Sequence, residues 1–283
     1  MEYPRAAGQE ARRMRFVDIV FVYHLLDERQ IAWHGRRHSH GPELHEMHYF
    51  ISGAGRFRNG PGVWTISPGS LHITPPGVVH QIVATDTRKP ITYYAVLFDA
   101  AGDEELNGLL ARLGPDAGPS KIGTSRRFFF ADLLERHFSG RSDLVLAAHH
   151  NFIAFLYDLV AGSTAQGAAD NAHVEKALAI MQMSIERELD LSAICERLQL
   201  SREHFVRIFS ERMGMPPMKY YARLKIEAAR AMLSSTNLRV QEIADKLGYA
   251  NQFNFTRTFK RLADMSPTEY RARCLQRADF TAE

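Results

Sequence analysis

The sequence predicts an α+β chain of more than one domain: a β-barrel with appended helices, then an all-α domain. Three observations predict this. Residues 16–100 hold short β-branched and aromatic runs separated by Gly and Pro, the pattern of a barrel or sandwich. From Asp103 onward the apolar period becomes helical. The last third contains one segment twice, as when a single supersecondary unit is used two times.

The strand-like runs are Phe16–Tyr23, Glu46–Ser52, Val63–Ile66, Ser70–Thr74 and Ile91–Phe98. Leu106, Leu109, Leu110 and Leu113 then mark a helix, and Phe129, Leu133, Leu134 and Phe138 mark a second. Asp143–Val160 is a third. Its apolar stripe is too wide for a solvated helix, so it packs on the barrel or forms a dimer seam. Residues 161–171 (AGSTAQGAADN) are small and polar and read as an interdomain linker. The boundaries expected are 1–100 for the barrel, 101–161 for the helical region, 162–171 for the linker and 172–283 for the all-α domain.

In the repeat, Ile194, Leu198 and Leu200 recur 49 positions later as Ile243, Leu247 and Tyr249. Phe205, Arg207, Phe209, Met215, Pro217 and Tyr220 recur 50 positions later as Phe255, Arg257, Phe259, Met265, Pro267 and Tyr270. In each copy a short helix, a tight turn and a second helix follow one another, a helix-turn-helix. Ser201 and Asn251 are suited to cap the two second helices. Phe205, Ile208, Phe209 and Met213 share one face, which leaves Arg202, Glu203, Val206 and Arg207 outward. In the second copy Gln252, Phe253, Asn254, Thr256, Arg257, Lys260 and Arg261 are left outward. Gln, Asn and Arg can bond base edges bidentately, and Thr or Phe can touch a thymine methyl. Between the copies, Pro217–Leu233 reads as one helix of ~25 Å, able to hold two recognition helices about one DNA turn apart.

Bulk composition narrows the classes. The chain has 283 residues, 45% apolar and 24% charged, enough for two cores and ordinary for a globular protein. No run approaches the ~18 apolar residues of a membrane helix, and residues 1–15 lack a secretory apolar stretch. Cys195 and Cys274 are the only cysteines, which suits a reducing cytoplasm and not a disulfide framework. The net charge is +3, but residues 201–282 hold 15 Lys/Arg against 8 Asp/Glu, so this end carries +7 and the rest −4. A basic end on a near-neutral body points to a polyanionic partner.

The last 110 residues resemble the AraC/XylS family of bacterial transcription regulators, most specifically over "IADKLGYANQFNFTRTFKRLADMSPTEYR". The resemblance implies a cytoplasmic DNA-binding regulator that binds double-stranded promoter DNA, forms a homodimer through the middle helices and contacts RNA polymerase. Base-facing positions carry over as Glu203, Val206 and Arg207, and as Gln252, Phe253, Asn254, Thr256 and Arg257. Arg202 and Lys260 flank them as further DNA contacts. Arg239 departs from the family's Ser/Thr cap.

In the N-terminal half, His38, His40, Glu46 and Gly53 follow H-x-H-(x)5-E-(x)6-G. After fifteen intervening residues, Gly69, Pro75, Gly77 and His80 follow G-(x)5-P-x-G-(x)2-H. This is similar to the paired motifs of the cupin barrel, with Ala32, a longer first spacer and Ala84 as departures. In metal-binding cupins the equivalents of His38, His40, Glu46 and His80 hold one divalent ion, and these donors suit Fe, Mn, Ni or Zn. Sensor cupins often keep such a stretch without metal. There His38, His40, Glu46, His48, Trp64 and His80 would line an effector pocket for a sugar, sugar acid or aromatic compound, with Trp33, Tyr49 and Phe50 available to stack. The alternative to a ligand-controlled regulator is a metal-dependent cupin enzyme, a dioxygenase or isomerase with a helical tail. An alkyl-accepting repair protein is excluded because no Cys precedes position 195.

Overall fold

The computed structural model describes residues 14–25, 35–86, 88–100, 102–114, 118–161 and 168–280. They fall into two compact units, the first drawn from 14–20, 24–122 and 132–161, and the second from 21–23, 123–131 and 168–280.

The first unit is built from β1 (Arg15–Leu25), β2 (Leu44–Ser52), β3 (Gly55–Asn59), β4 (Gly62–Thr65), β5 (Ser70–Thr74), β6 (His80–Ala84), β7 (Ile91–Asp99) and β8 (Ser120–Lys121). One sheet has the order β1-β7-β2-β5-β8 and the other β4-β3-β6. Strands β3, β6 and β8 are additional to the sequence-based expectation. β3 and β6 are only five residues each, and β3 alternates buried Phe57 and Asn59 with exposed Arg56 and Arg58. The two sheets face each other, with Phe57 of β3 5.6 Å from Phe50 of β2 and 4.8 Å from His72 of β5.

Strand β2 is buried on both faces. Alternation turns Glu46, His48 and Phe50 toward the second sheet and Met47, Tyr49 and Ile51 the other way. Tyr49 therefore lies on the opposite face of β2 from Phe50. The outer face of the larger sheet is covered by helix. After α1 (Glu104–Ala111) and α2 (Arg127–His137), helix α3 (Ser142–Val160) buries Ala148, Phe152, Phe155, Leu156 and Leu159. Phe152 packs on Phe98 at 5.0 Å and Phe16 at 5.3 Å. The wide apolar stripe is thus consumed by packing within this unit, which leaves Leu146 and Tyr157 exposed on the other side.

The second unit carries α4 (Ala168–Met183), α5 (Leu191–Leu198), α6 (Arg202–Met213), α7 (Pro217–Ser235), α8 (Val240–Lys246), α9 (Gln252–Ala263) and α10 (Pro267–Phe280). Residues 162–167 of the expected linker lie outside the described residues, and 168–171 already belong to α4. The shared core contains both copies of the repeat: Ile194, Leu198, Phe205 and Phe209 with Ile243, Leu247, Phe255 and Phe259. Tyr220 of α7 joins the first copy, 5.4 Å from Phe209. Tyr270 of α10 joins the second, 5.7 Å from Phe259.

Backbone conformation repeats with the sequence. The turn between the helices is left-handed at Gln199 (φ 57°) and again at Gly248 (φ 63°). The recognition helices end left-handed at Gly214 (φ 66°) and Asp264 (φ 56°). These pairs stand 49 and 50 residues apart, so the duplication extends to the turns. Gly248 is tightly enclosed: a Cβ there would lie 2.5 Å from the Glu186 carbonyl oxygen. The Tyr221 hydroxyl donates to the carbonyls of Ser184 and Arg187 (2.8 Å for Arg187), which fixes that loop.

Candidate effector site and nucleic-acid interface

Two regions bring chemistry-bearing residues together. In the barrel, His38, His40, Glu46 and His80 each place one ligand atom within 4.8 Å of the others. Strand β6 carries His80, and an isolated bridge between His38 and His80 draws the 38–40 segment to it. His40 Nε2 lies 3.0 Å and His80 Nε2 2.6 Å from Glu46 Oε2, and His48 Nε2 lies 3.7 Å from Oε1. His38 accompanies them, its ring 4.3 Å from that of His80. Burial pushes the Glu46 carboxyl up, but His48 and the hydrogen bonds from His40 and His80 outweigh it and hold Glu46 well below the usual carboxylate range. Three imidazoles around one ionised carboxylate fit a borderline divalent metal such as Fe, Mn, Ni or Zn.

Beside this cluster the barrel interior is neutral and aromatic. His48 and His72 sit directly opposite each other on β2 and β5. Burial lowers His48 to about 3 and His72 to about 4, so both are neutral at pH 7. Phe57 and Tyr93 flank His48 at 4.9 and 5.6 Å, and the half-buried Trp64 ring lies 5.8 Å from His72. Four buried polar atoms here have no hydrogen-bond partner among the described residues: His48 Nδ1, Asn59 Oδ1, His72 Nε2 and Thr74 Oγ1. Leaving such groups dry costs about 1–3 kcal/mol each, so the interior is built for something polar. Sequence reasoning missed Asn59, His72 and Thr74 as lining residues. The signal was the period-2 alternation of β3 and β5, whose inward positions they occupy. Trp33 lies outside the described residues.

In the second unit, each recognition helix is capped by the residue expected. Ser201 Oγ accepts from His204 N at 3.2 Å, and Asn251 Oδ1 accepts from Asn254 N at 2.9 Å. At Arg239 the Glu242 carboxylate accepts from the Arg239 backbone N at 2.7 Å and its Nη2 at 3.1 Å, which ties the start of α8 together without a side-chain acceptor at the cap position. In α6, Arg202, Glu203 and Arg207 are exposed and Val206 is half-buried against the core. In α9, Gln252, Phe253, Arg257 and Lys260 are exposed, with Asn254 and Thr256 half-buried.

The two edges differ in charge. Arg207 Nη1 donates to both Glu211 oxygens at 3.1 Å, and Glu203 adds a second acid to α6. Helix α9 contains Arg257, Lys260 and Arg261 and no acid.

The family descriptions match this division. Residues 22–179 match the AraC-like ligand binding domain, and residues 194–273 match a helix-turn-helix domain. The chain belongs to the AraC family. The MmsAB operon regulatory protein of Pseudomonas aeruginosa is 27% identical over 85% of this chain and 80% of its own. The raffinose operon transcriptional regulatory protein RafR of Pediococcus pentosaceus is 33% identical, over 34% of each chain. A solved AraC-type regulator from Chromobacterium violaceum is 27% identical over 39% of this chain and 98% of that chain, with a TM-score of 0.37. These AraC-family relatives are transcription regulators, and the metal-dependent enzyme reading finds no support among them. Among the described residues no helix is long and apolar enough to cross a membrane.

Proposed function

We propose that this AraC-family chain is a cytoplasmic, non-enzymatic regulator that reads promoter DNA with α6 and α9 and senses a small molecule in its barrel. The observation that carries the DNA reading is the pair of capped helices on one scaffold, each presenting a polar edge, on the basic end of the chain. On α6 the DNA-contacting residues are Arg202, Glu203, Val206 and Arg207. On α9 they are Gln252, Phe253, Asn254, Thr256, Arg257 and Lys260. Such an edge offers both phosphate contacts and base-edge contacts.

The effector pocket comprises His48, His72, Asn59, Thr74 and Trp64 beside the His38/His40/Glu46/His80 cluster. An uncharged sugar or an aromatic compound suits the neutral His48 and His72 surroundings, and a divalent ion in the cluster would add positive charge for a sugar acid. A divalent ion held by His38, His40, Glu46 and His80 would act as a Lewis acid toward an effector oxygen. The effector acts by binding one arrangement of the protein more tightly than another, which the linkage of the two equilibria requires. Homodimer formation through the exposed side of α3, around Leu146, and contact with RNA polymerase complete the proposal.

The test is a gel-shift titration of the full chain on its own upstream region against random duplex, with and without sugars, sugar acids and aromatic compounds. Preference for the upstream fragment that changes with one compound class supports the reading. Equal binding to both duplexes under every condition defeats it.

A further inference from the structure

We infer that Phe253 reads the 5-methyl group of a thymine in the major groove, which makes it a specificity-determining residue of the second helix-turn-helix. This rests on the proposed reading of DNA by α9. Phe253 is 72% exposed, while Phe255 and Phe259 of the same helix are fully buried. At ~100° per residue, Phe253, Arg257 and Lys260 form one stripe on the side away from Phe255 and Phe259, with the half-buried Thr256 at its border. A bare aromatic ring therefore stands inside a row of polar and cationic side chains.

The surroundings choose the occupant. Helix α9 carries three cations and no acid, so its exposed face complements a polyanion, not an apolar protein or lipid surface. Phe253 lies in the first turn, the part of a recognition helix that meets base edges. That turn is held by the Asn251 cap on Asn254 N. A phenyl ring has no donor or acceptor, so it cannot read the hydrogen-bonding pattern of any base. The only apolar feature on the major-groove edges is the thymine methyl. The first copy has Glu203 at the corresponding position, so this contact belongs to the second copy alone.

The experiment uses the full-length chain. Sequences are enriched from a random duplex pool, and each thymine of the consensus is then replaced in turn by uracil, which removes only the methyl. Burial of one methyl contributes about 0.8 kcal/mol, so one uracil substitution should weaken wild-type binding about fourfold. Phe253→Ala should bind the thymine and uracil duplexes equally. Indifference of the wild type to every uracil, or an unchanged uracil penalty in Phe253→Ala, overturns the inference. Loss of affinity in Phe253→Ala alongside such wild-type indifference would mark a wedge between base steps instead. Failure of the pool to enrich any sequence defeats the DNA-reading proposal itself, and this inference with it.

Discussion

Replacing Gly248 by Ala tests whether the turn of the second helix-turn-helix is as tightly determined as it looks. Gly248 has φ 63°, and a left-handed conformation costs a residue with a Cβ roughly 1–2 kcal/mol. The new Cβ would also stand 2.5 Å from the Glu186 carbonyl oxygen and 3.1 Å from the Arg187 Cα. Those atoms are backbone, in a loop tied to α7 by the Tyr221 hydroxyl, so relief must move the loop or the turn. Overpacking of this kind costs about 1–3 kcal/mol. Stiffening of the unfolded chain returns roughly 0.4–1 kcal/mol. The net destabilisation of the second unit should be about 2–4 kcal/mol. Gln199→Ala, at the matching left-handed position of the first copy, is the control, because a side chain is already tolerated there. Urea unfolding followed by hydrogen exchange of α8 and α9 amides reads both variants. A Gly248→Ala penalty below 0.5 kcal/mol, or one equal to that of Gln199→Ala, would show that the enclosure does not constrain the turn.

Three further outcomes are expected. Arg257→Ala should cost about 1–3 kcal/mol of specific DNA binding. Arg207→Ala should cost less, since its guanidinium must first leave Glu211, and competition binding on one duplex compares the two. His80→Ala should leave DNA affinity without effector unchanged and abolish the effector response, and metal analysis of the same variant should show any bound divalent ion lost. Finally, His72 is lowered by burial to about 4 from an ordinary 6.5. The unfolded chain takes its proton first, so this stability is present above about pH 6.5 and lost as pH falls toward 4. Between pH 6.5 and 5 the barrel should lose about 2 kcal/mol from this group, and His72→Phe should flatten the profile in denaturant titrations at each pH.

The helix-turn-helix half was legible because its information is local. Helical periodicity, the Ser201 and Asn251 caps and the 50-residue offset all lie within short windows. The barrel half was legible only in part. The H-x-H and G-(x)5-P motifs announced the cluster, yet nothing in the sequence states the register that sets His48 opposite His72. A shift of one residue would turn either ring out of the barrel. Strand β3 was hidden by its arginines, which are the solvent-facing half of a five-residue alternation. The buried pair Arg127–Glu227 joins positions 100 residues apart and has no local signature at all. The stripe on α3 showed the opposite problem: the sequence revealed that it is covered and left open what covers it. Phe16 and Phe98 do so from distant strands.

Helix α7 runs unbroken for 19 residues between the two reading heads, with Pro217 at its start. It is about 28 Å long at 1.5 Å per residue. A helix of this kind is a ruler that also measures angle. One residue inserted into it would advance the second head by only ~1.5 Å but swing it by ~100° around the axis, away from any groove the first head occupies. On the proposed reading of DNA by α6 and α9, the operator spacing is therefore written into the number of residues in α7.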